Sequence, residues 1–166
     1  MPVQMRRLLD LKAEELMCRD IITIPRGMSL RAAAHCLAQA GVSGAPVVNE
    51  SGRCVGVLTK SDLVRFIDQG AGPCPFADPS GPFYFADWQV QEIEALPIHQ
   101  VNNYMSTDVI TARPEATVGD LARSMHMNHV HRILITDSWD RVLGVVSSMD
   151  ILGAVASEVE PPCPSR

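Results

Sequence analysis

Apolar residues recur along this chain in two rhythms, and each rhythm is used twice. Short apolar or β-branched runs at Ile21 to Ile24, Ala45 to Val48 and Cys54 to Leu58 predict strands. Between the first two, Leu30, Ala33, Ala34 and Leu37 fall on one stripe of a helix that Ser29 is placed to cap and Gly41 to end. Asn49, Glu50, Ser51 and Gly52 separate the second and third runs and predict a hairpin. A second helix opens at Thr59, with Leu63, Phe66 and Ile67 on its buried face. The order strand, helix, strand, strand, helix then returns: Val109 to Ala112, Thr117 through Met125, Ile133 to Thr136, Val142 to Val146, and Ser147 to about Ala156. A short helix around Lys12 to Met17 leads into the first copy.

The recurrence is an ungapped internal repeat, with residues 16 to 67 matching 104 to 155 at a constant offset of 88. Met17, Asp20, Ile22, Thr23, Val42, Arg53, Gly56, Val57 and Asp62 return as Met105, Asp108, Ile110, Thr111, Val130, Arg141, Gly144, Val145 and Asp150. The fold class read from this is α/β (α+β): two tandem repeats, 11–67 and 104–156, packed with pseudo-twofold symmetry, with a short tail at 157–166. Each copy is too small to bury a full core alone. A site in the cleft between two such copies should therefore occur twice.

Residues 68–103 have no equivalent outside the repeats. Pro73, Pro75, Pro79, Pro82 and Pro97, with Gly70, Gly72 and Gly81, predict an irregular first half, and Asp87 is a reasonable N-cap for a helix to about Ala95. Phe76, Phe83, Tyr84, Phe85 and Trp88 carry more apolar area than a solvated tether would. Either these rings fold back on the chain's own body, or they form a contact with a subunit or partner.

At 166 residues, 46% hydrophobic and 20% charged, the composition is that of a soluble globular protein. A duplex-binding surface needs a basic patch to neutralise phosphates, so with a net charge of −5 nucleic acid is not the favoured partner. No run approaches the roughly 20 apolar residues of a membrane span, and residues 1–10 do not read as a signal peptide. A cytoplasmic location without membrane contact is the expectation. Cysteines at 18, 36, 54, 74 and 163 form no Cys-x-x-Cys pair, so they read as free, mostly buried thiols rather than a disulfide framework or zinc ribbon.

Two segments close the third strand and open the last helix of each copy: Gly56-Val57-Leu58-Thr59-Lys60-Ser61-Asp62 and Gly144-Val145-Val146-Ser147-Ser148-Met149-Asp150. Each sets a hydroxyl at a helix start and a carboxylate three residues later. Unpaired N–H groups and the positive dipole end favour an anion there, the hydroxyl can donate to a phosphate oxygen, and the carboxylate can accept from two ribose hydroxyls. The same spacing is also an ordinary capping box.

In order and duplicated, these features resemble the cystathionine β-synthase (CBS) domain family. The resemblance rests on Leu16 to Thr23 and Tyr104 to Thr111 at the repeat openings, Val42-Ser43-Gly44-Ala45-Pro46-Val47-Val48, and the two Gly-to-Asp endings. It implies a tandem CBS pair, or Bateman module, with two clefts for adenosine-containing ligands. The implied nucleotide contacts are Ile22, Thr23, Val42, Ser43, Ala45 and Pro46 with Thr59 and Asp62 in one cleft. In the other they are Ile110, Val130, His131 and Arg132, near Ile133, with Ser147 and Asp150. Asp62 and Asp150 would hold ribose, with Thr59 and Ser147 near phosphate. His131-Arg132 stands where the first copy has Ser43-Gly44, and resembles the basic pair that faces phosphates in the γ subunit of AMP-activated kinase.

The expected function is a stand-alone regulatory sensor: a homodimer binding AMP, ADP or ATP, ahead of S-adenosylmethionine, and signalling to a separate, unidentified effector protein. The rival is a ligand-free oligomerisation or adaptor protein that works through the aromatic insert. No catalytic motif is present, so no enzyme is expected and no cofactor is required beyond the adenine nucleotide as regulatory ligand. His126, His129 and His131 lack a Cys or carboxylate to complete a tetrahedral set, so no metal site is expected.

Overall fold

The computed structural model describes residues 8–68 and 99–159. Phe76, Phe83, Tyr84, Phe85 and Trp88, the helix expected at Asp87 to Ala95, Cys74, Cys163 and the end of the tail lie outside the described residues, as do the side chains of Phe66 and Ile67.

The chain divides into two compact units, Ile22–Val109, here the first, and Met1–Ile21 with Ile110–Arg166, the second. The first holds β1 (Ile24–Pro25), α2 (Leu30–Gln39), β2 (Gly44–Val48), β3 (Cys54–Thr59) and α3 (Lys60–Asp68), followed by a 3-10 turn at Val101–Asn103. The second takes α1 (Ala13–Leu16), then β4 (Thr111–Ala112), α4 (Val118–Asn128), β5 (Arg132–Thr136), β6 (Val142–Ser147) and α5 (Ser148–Val159). Each unit thus repeats β-α-β-β-α in an α+β architecture.

Both sheets have the same topology. The edge strand runs parallel to the central one, Ile24 opposite Val47 and Thr111 opposite Leu134, and the helix between them makes the crossover a parallel pair needs. The central strand then pairs antiparallel with the third, Gly44 opposite Thr59 and Arg132 opposite Ser147. In both hairpins a side chain shapes the turn: Asn49 Oδ1 accepts from the amides of Ser51 and Arg53, and Asp137 Oδ1 from those of Trp139 and Arg141.

The edge strands are shorter than the apolar runs predicted. Only Ile24–Pro25 and Thr111–Ala112 enter their ladders, and Thr23 is exposed. Pro25 has no N–H to donate, which an edge strand tolerates. The helix caps follow the expected chemistry, as Ser29 Oγ accepts from the Ala32 amide and Thr117 Oγ1 from the Asp120 amide. Gly41 ends α2 at φ +64°, and its counterpart His129 takes φ 54° at the end of α4.

What closes each unit is the segment leading into the other copy. In the first unit Ser106 and Val57 exchange both backbone hydrogen bonds at 2.9 Å, and Val101 is fully buried against Ile24, Leu30 and Leu58. In the second, Cys18 and Val145 exchange theirs at 2.9 and 3.0 Å, and Ala13 and Met17 join Leu121, Met125, Ile133 and Ile135 in the core. Burying a side chain the size of Val101 or Met17 contributes about 1.5 to 3 kcal/mol.

The cysteines depart from the expectation of burial. Cys18 is exposed, with Sγ 3.6 Å from the Asp20 carbonyl, and Cys36 and Cys54 are half-buried. Cys18 lies on the lead segment, where the backbone bridges to β6 and the side chain stays at the surface. None of the three is in a disulfide.

Candidate functional site

Each set of residues expected to form a cleft falls within one compact unit: Ile22 to Asp62 in the first, Ile110 to Asp150 in the second. In the first, Ile22 and Val42 pack against the core, Ala45 and Pro46 are buried on β2, and Ser43 and Thr23 are exposed. The Lys60 amide donates to the Ser43 carbonyl at 2.9 Å, which holds the β2 entry against the α3 opening. In the second the Ser148 amide donates to His131 O at the same distance, and Ile110 O accepts from the Leu134 amide at 3.3 Å.

The two Gly-to-Asp motifs adopt one geometry. The Thr59 amide (2.8 Å) and hydroxyl (2.7 Å) both donate to Asp62 Oδ2, and the Asp62 amide donates back to Thr59 Oγ1 at 3.4 Å. The Ser147 amide and hydroxyl, both at 2.7 Å, donate to Asp150 Oδ2, and the Asp150 amide returns to Ser147 Oγ at 3.3 Å. These are complete capping boxes. The hydroxyl's single proton points at its own carboxylate, so gripping a phosphate there requires the hydroxyl to rotate.

The carboxylates differ in what meets their other oxygen. Asp62 is buried, 7% exposed, and its Oδ1 accepts from Ser106 Oγ at 3.2 Å with Arg65 Nη1 at 3.9 Å. Asp150 is half-buried, and among the described residues its Oδ1 meets no donor. Sequence reading assigned no role to Ser106 or Arg65. The signal available was the offset of 88, which sets Cys18 and Gly153 in their places in the second unit.

A second difference lies on the central strands. Residues opposite each other on antiparallel strands project to the same face. Arg132, exposed, therefore extends beside Ser147 at the opening of α5. The first unit has Gly44 there, and a Cβ on it would come within 2.9 Å of the Leu58 carbonyl and 3.0 Å of the Thr59 methyl. Ser147 has no such methyl, which is part of why a side chain fits opposite it.

In the second unit a groove of about 420 Å³ between α4 and α5 is lined by Met125, His126, His129, Val130, His131 and Leu152, among others. It includes Val130 and His131 of the expected contacts but not Arg132, Ser147 or Asp150. Among the described residues no three His, Cys, Asp or Glu side chains group closely enough to hold a metal ion, and no helix is long and apolar enough to cross a membrane.

Residues 13–69 and 101–157 each match the family model of the CBS domain. A homoserine O-acetyltransferase of Methanococcoides burtonii is 25% identical over 137 residues, covering 82% of this chain but only 22% of the relative, so the chain spans about a fifth of that protein's length. The CBS domain pair of protein MJ0100, solved with 5′-methylthioadenosine and S-adenosyl-L-methionine, superposes with a TM-score of 0.67 at 21% identity, over 89% of this chain and 98% of that one. CBSX2, solved with AMP, gives a TM-score of 0.67 at 17% identity, over 88% and 96%. At these identities the likeness is one of fold.

Proposed function

The chain belongs to the CBS domain family, and on that premise we propose that it is a regulatory module that binds an adenosine-containing ligand, AMP, ADP or ATP, with one site in each unit. In each, the carboxylate of Asp62 or Asp150 accepts from the ribose hydroxyls, and the helix opening at Thr59 or Ser147 faces phosphate. His131 and Arg132 add phosphate affinity in the second unit. The module acts as a homodimer on a separate effector and catalyses no reaction itself.

The observation that carries this reading is the duplicated hydroxyl-carboxylate pair at a helix opening, in two units of one topology. Support comes also from solved pairs of the same fold that hold AMP, or 5′-methylthioadenosine with S-adenosyl-L-methionine. The latter pair makes S-adenosylmethionine and methylthioadenosine necessary members of any ligand panel.

The completed capping boxes favour a second reading, in which the motifs serve helix stability alone and the chain is a ligand-free adaptor. Thermal unfolding with AMP, ADP, ATP, S-adenosylmethionine and methylthioadenosine separates the two. A ligand at 100 times its dissociation constant adds about 2.7 kcal/mol of stability. A flat response to all five leaves the adaptor.

A further inference from the structure

We infer that Ser106 is a built-in occupant of the first unit's carboxylate, so that the two sites of one chain are unequal and the second fills first. This rests on the proposed function, and it concerns which site is competent and which residue decides it.

A carboxylate that grips two vicinal hydroxyls needs two free acceptor positions, and each of its oxygens offers about two. In both units Oδ2 is taken by the capping box, leaving Oδ1 as the oxygen with capacity. At Asp62 that oxygen already accepts from Ser106 Oγ at 3.2 Å and lies 3.9 Å from Arg65 Nη1, inside a residue only 7% exposed. A ribose hydroxyl arriving there must displace or share with the serine. It exchanges one hydrogen bond for another and gains little, because hydrogen bonds to an ionised acceptor are the strong ones.

At Asp150 both competitors are gone. Cys18 replaces the serine, and a thiol is a weak donor. Its Sγ is directed to the Asp20 carbonyl. Gly153 replaces the arginine. The lead segments otherwise match, since Ser106 and Cys18 make the same paired backbone bridge to Val57 and Val145. On the lead segments the difference is thus one side-chain atom on an equivalent backbone. Arg132 adds a further difference, since it stands opposite Ser147 on the paired strand where the first unit has Gly44 opposite Thr59.

The test is calorimetric titration of AMP into the full chain in single-site backgrounds, Asp150→Asn to read the first site and Asp62→Asn the second. In the Asp150→Asn background, Ser106→Ala and Ser106→Cys should both tighten AMP by about fivefold or more, which is about 1 kcal/mol at 1.4 kcal/mol per tenfold. In the Asp62→Asn background, Cys18→Ser should weaken AMP by a similar factor. A merely structural serine would leave AMP affinity where it was once folding is verified by thermal melting. Weaker or unchanged binding in Ser106→Ala, with Cys18→Ser also neutral, overturns the inference and leaves the proposed function standing. No binding of AMP, adenosine or S-adenosylmethionine by the wild type or any variant overturns both.

Discussion

The Met105 sulfur lies 2.7 Å from where Gly56 would carry a Cβ, with the Ser106 carbonyl at 2.8 Å, and Met17 and the Cys18 carbonyl stand likewise at 2.9 and 2.7 Å from Gly144. The glycine of each Gly-to-Asp motif is therefore explained by the lead segment crossing it. A methionine side chain can yield, but the carbonyl belongs to a backbone bridge that closes the unit. Gly56→Ala and Gly144→Ala should each cost about 1 to 3 kcal/mol, the usual range for overpacking. Urea unfolding reads this directly, and a loss under about 0.5 kcal/mol, the scatter of neutral surface changes, would show that the segment shifts freely.

His129 carries the left-handed turn that Gly41 makes in the first unit. A side chain in that region costs about 1 to 2 kcal/mol, so His129→Gly should raise stability by about that amount. Thermal melting checks it; a lowered midpoint would mean that the imidazole's contacts in the groove outweigh the backbone cost.

Arg132 lies beside Ser147 on one face of the β5–β6 pair. Arg132→Gln should weaken AMP and ATP by about 1.5 to 3 kcal/mol, the range for hydrogen bonds to charged groups, while leaving adenosine nearly unchanged. Added salt should weaken the wild type more than the variant, because part of the attraction is screened. Equal losses for adenosine and AMP would assign Arg132 to folding.

Leu152 is 57% exposed on α5, with Val155 and the groove beside it. If that face meets a second copy, light scattering at micromolar protein should give about twice the chain mass, and Leu152→Glu should lower it without changing the far-UV dichroism, since an apolar interface does not accept an unpaired charge. A monomeric wild type would remove the homodimer from the account.

The repeat made most of the fold legible. Ser29, Gly41, Asn49 and Thr117 each do in the structure what their residue type favours locally, so the helices and hairpins stand close to where the pattern put them. The lead segments were not legible in the same way. Met17 and Met105 mark an apolar opening to each copy, but periodicity cannot tell which sheet a lead segment packs on, and each packs in the unit of the other copy. The candidate site was half legible. Asp62 and Thr59 could be paired from spacing, whereas the Ser106 contact joins residues 44 positions apart and depends on that same long-range packing.

The central claim is that Asp62 and Asp150 are ribose acceptors as well as caps. Calorimetric titration of AMP into the wild type and into the Asp62→Asn, Asp150→Asn double variant tests it most directly, because asparagine keeps the size and much of the capping while removing the charge. Saturable heat in the wild type and affinity at its tighter site lower by about 1.5 kcal/mol or more in the double variant, at comparable melting temperatures, is the predicted result. Equal affinity in the two proteins would contradict it.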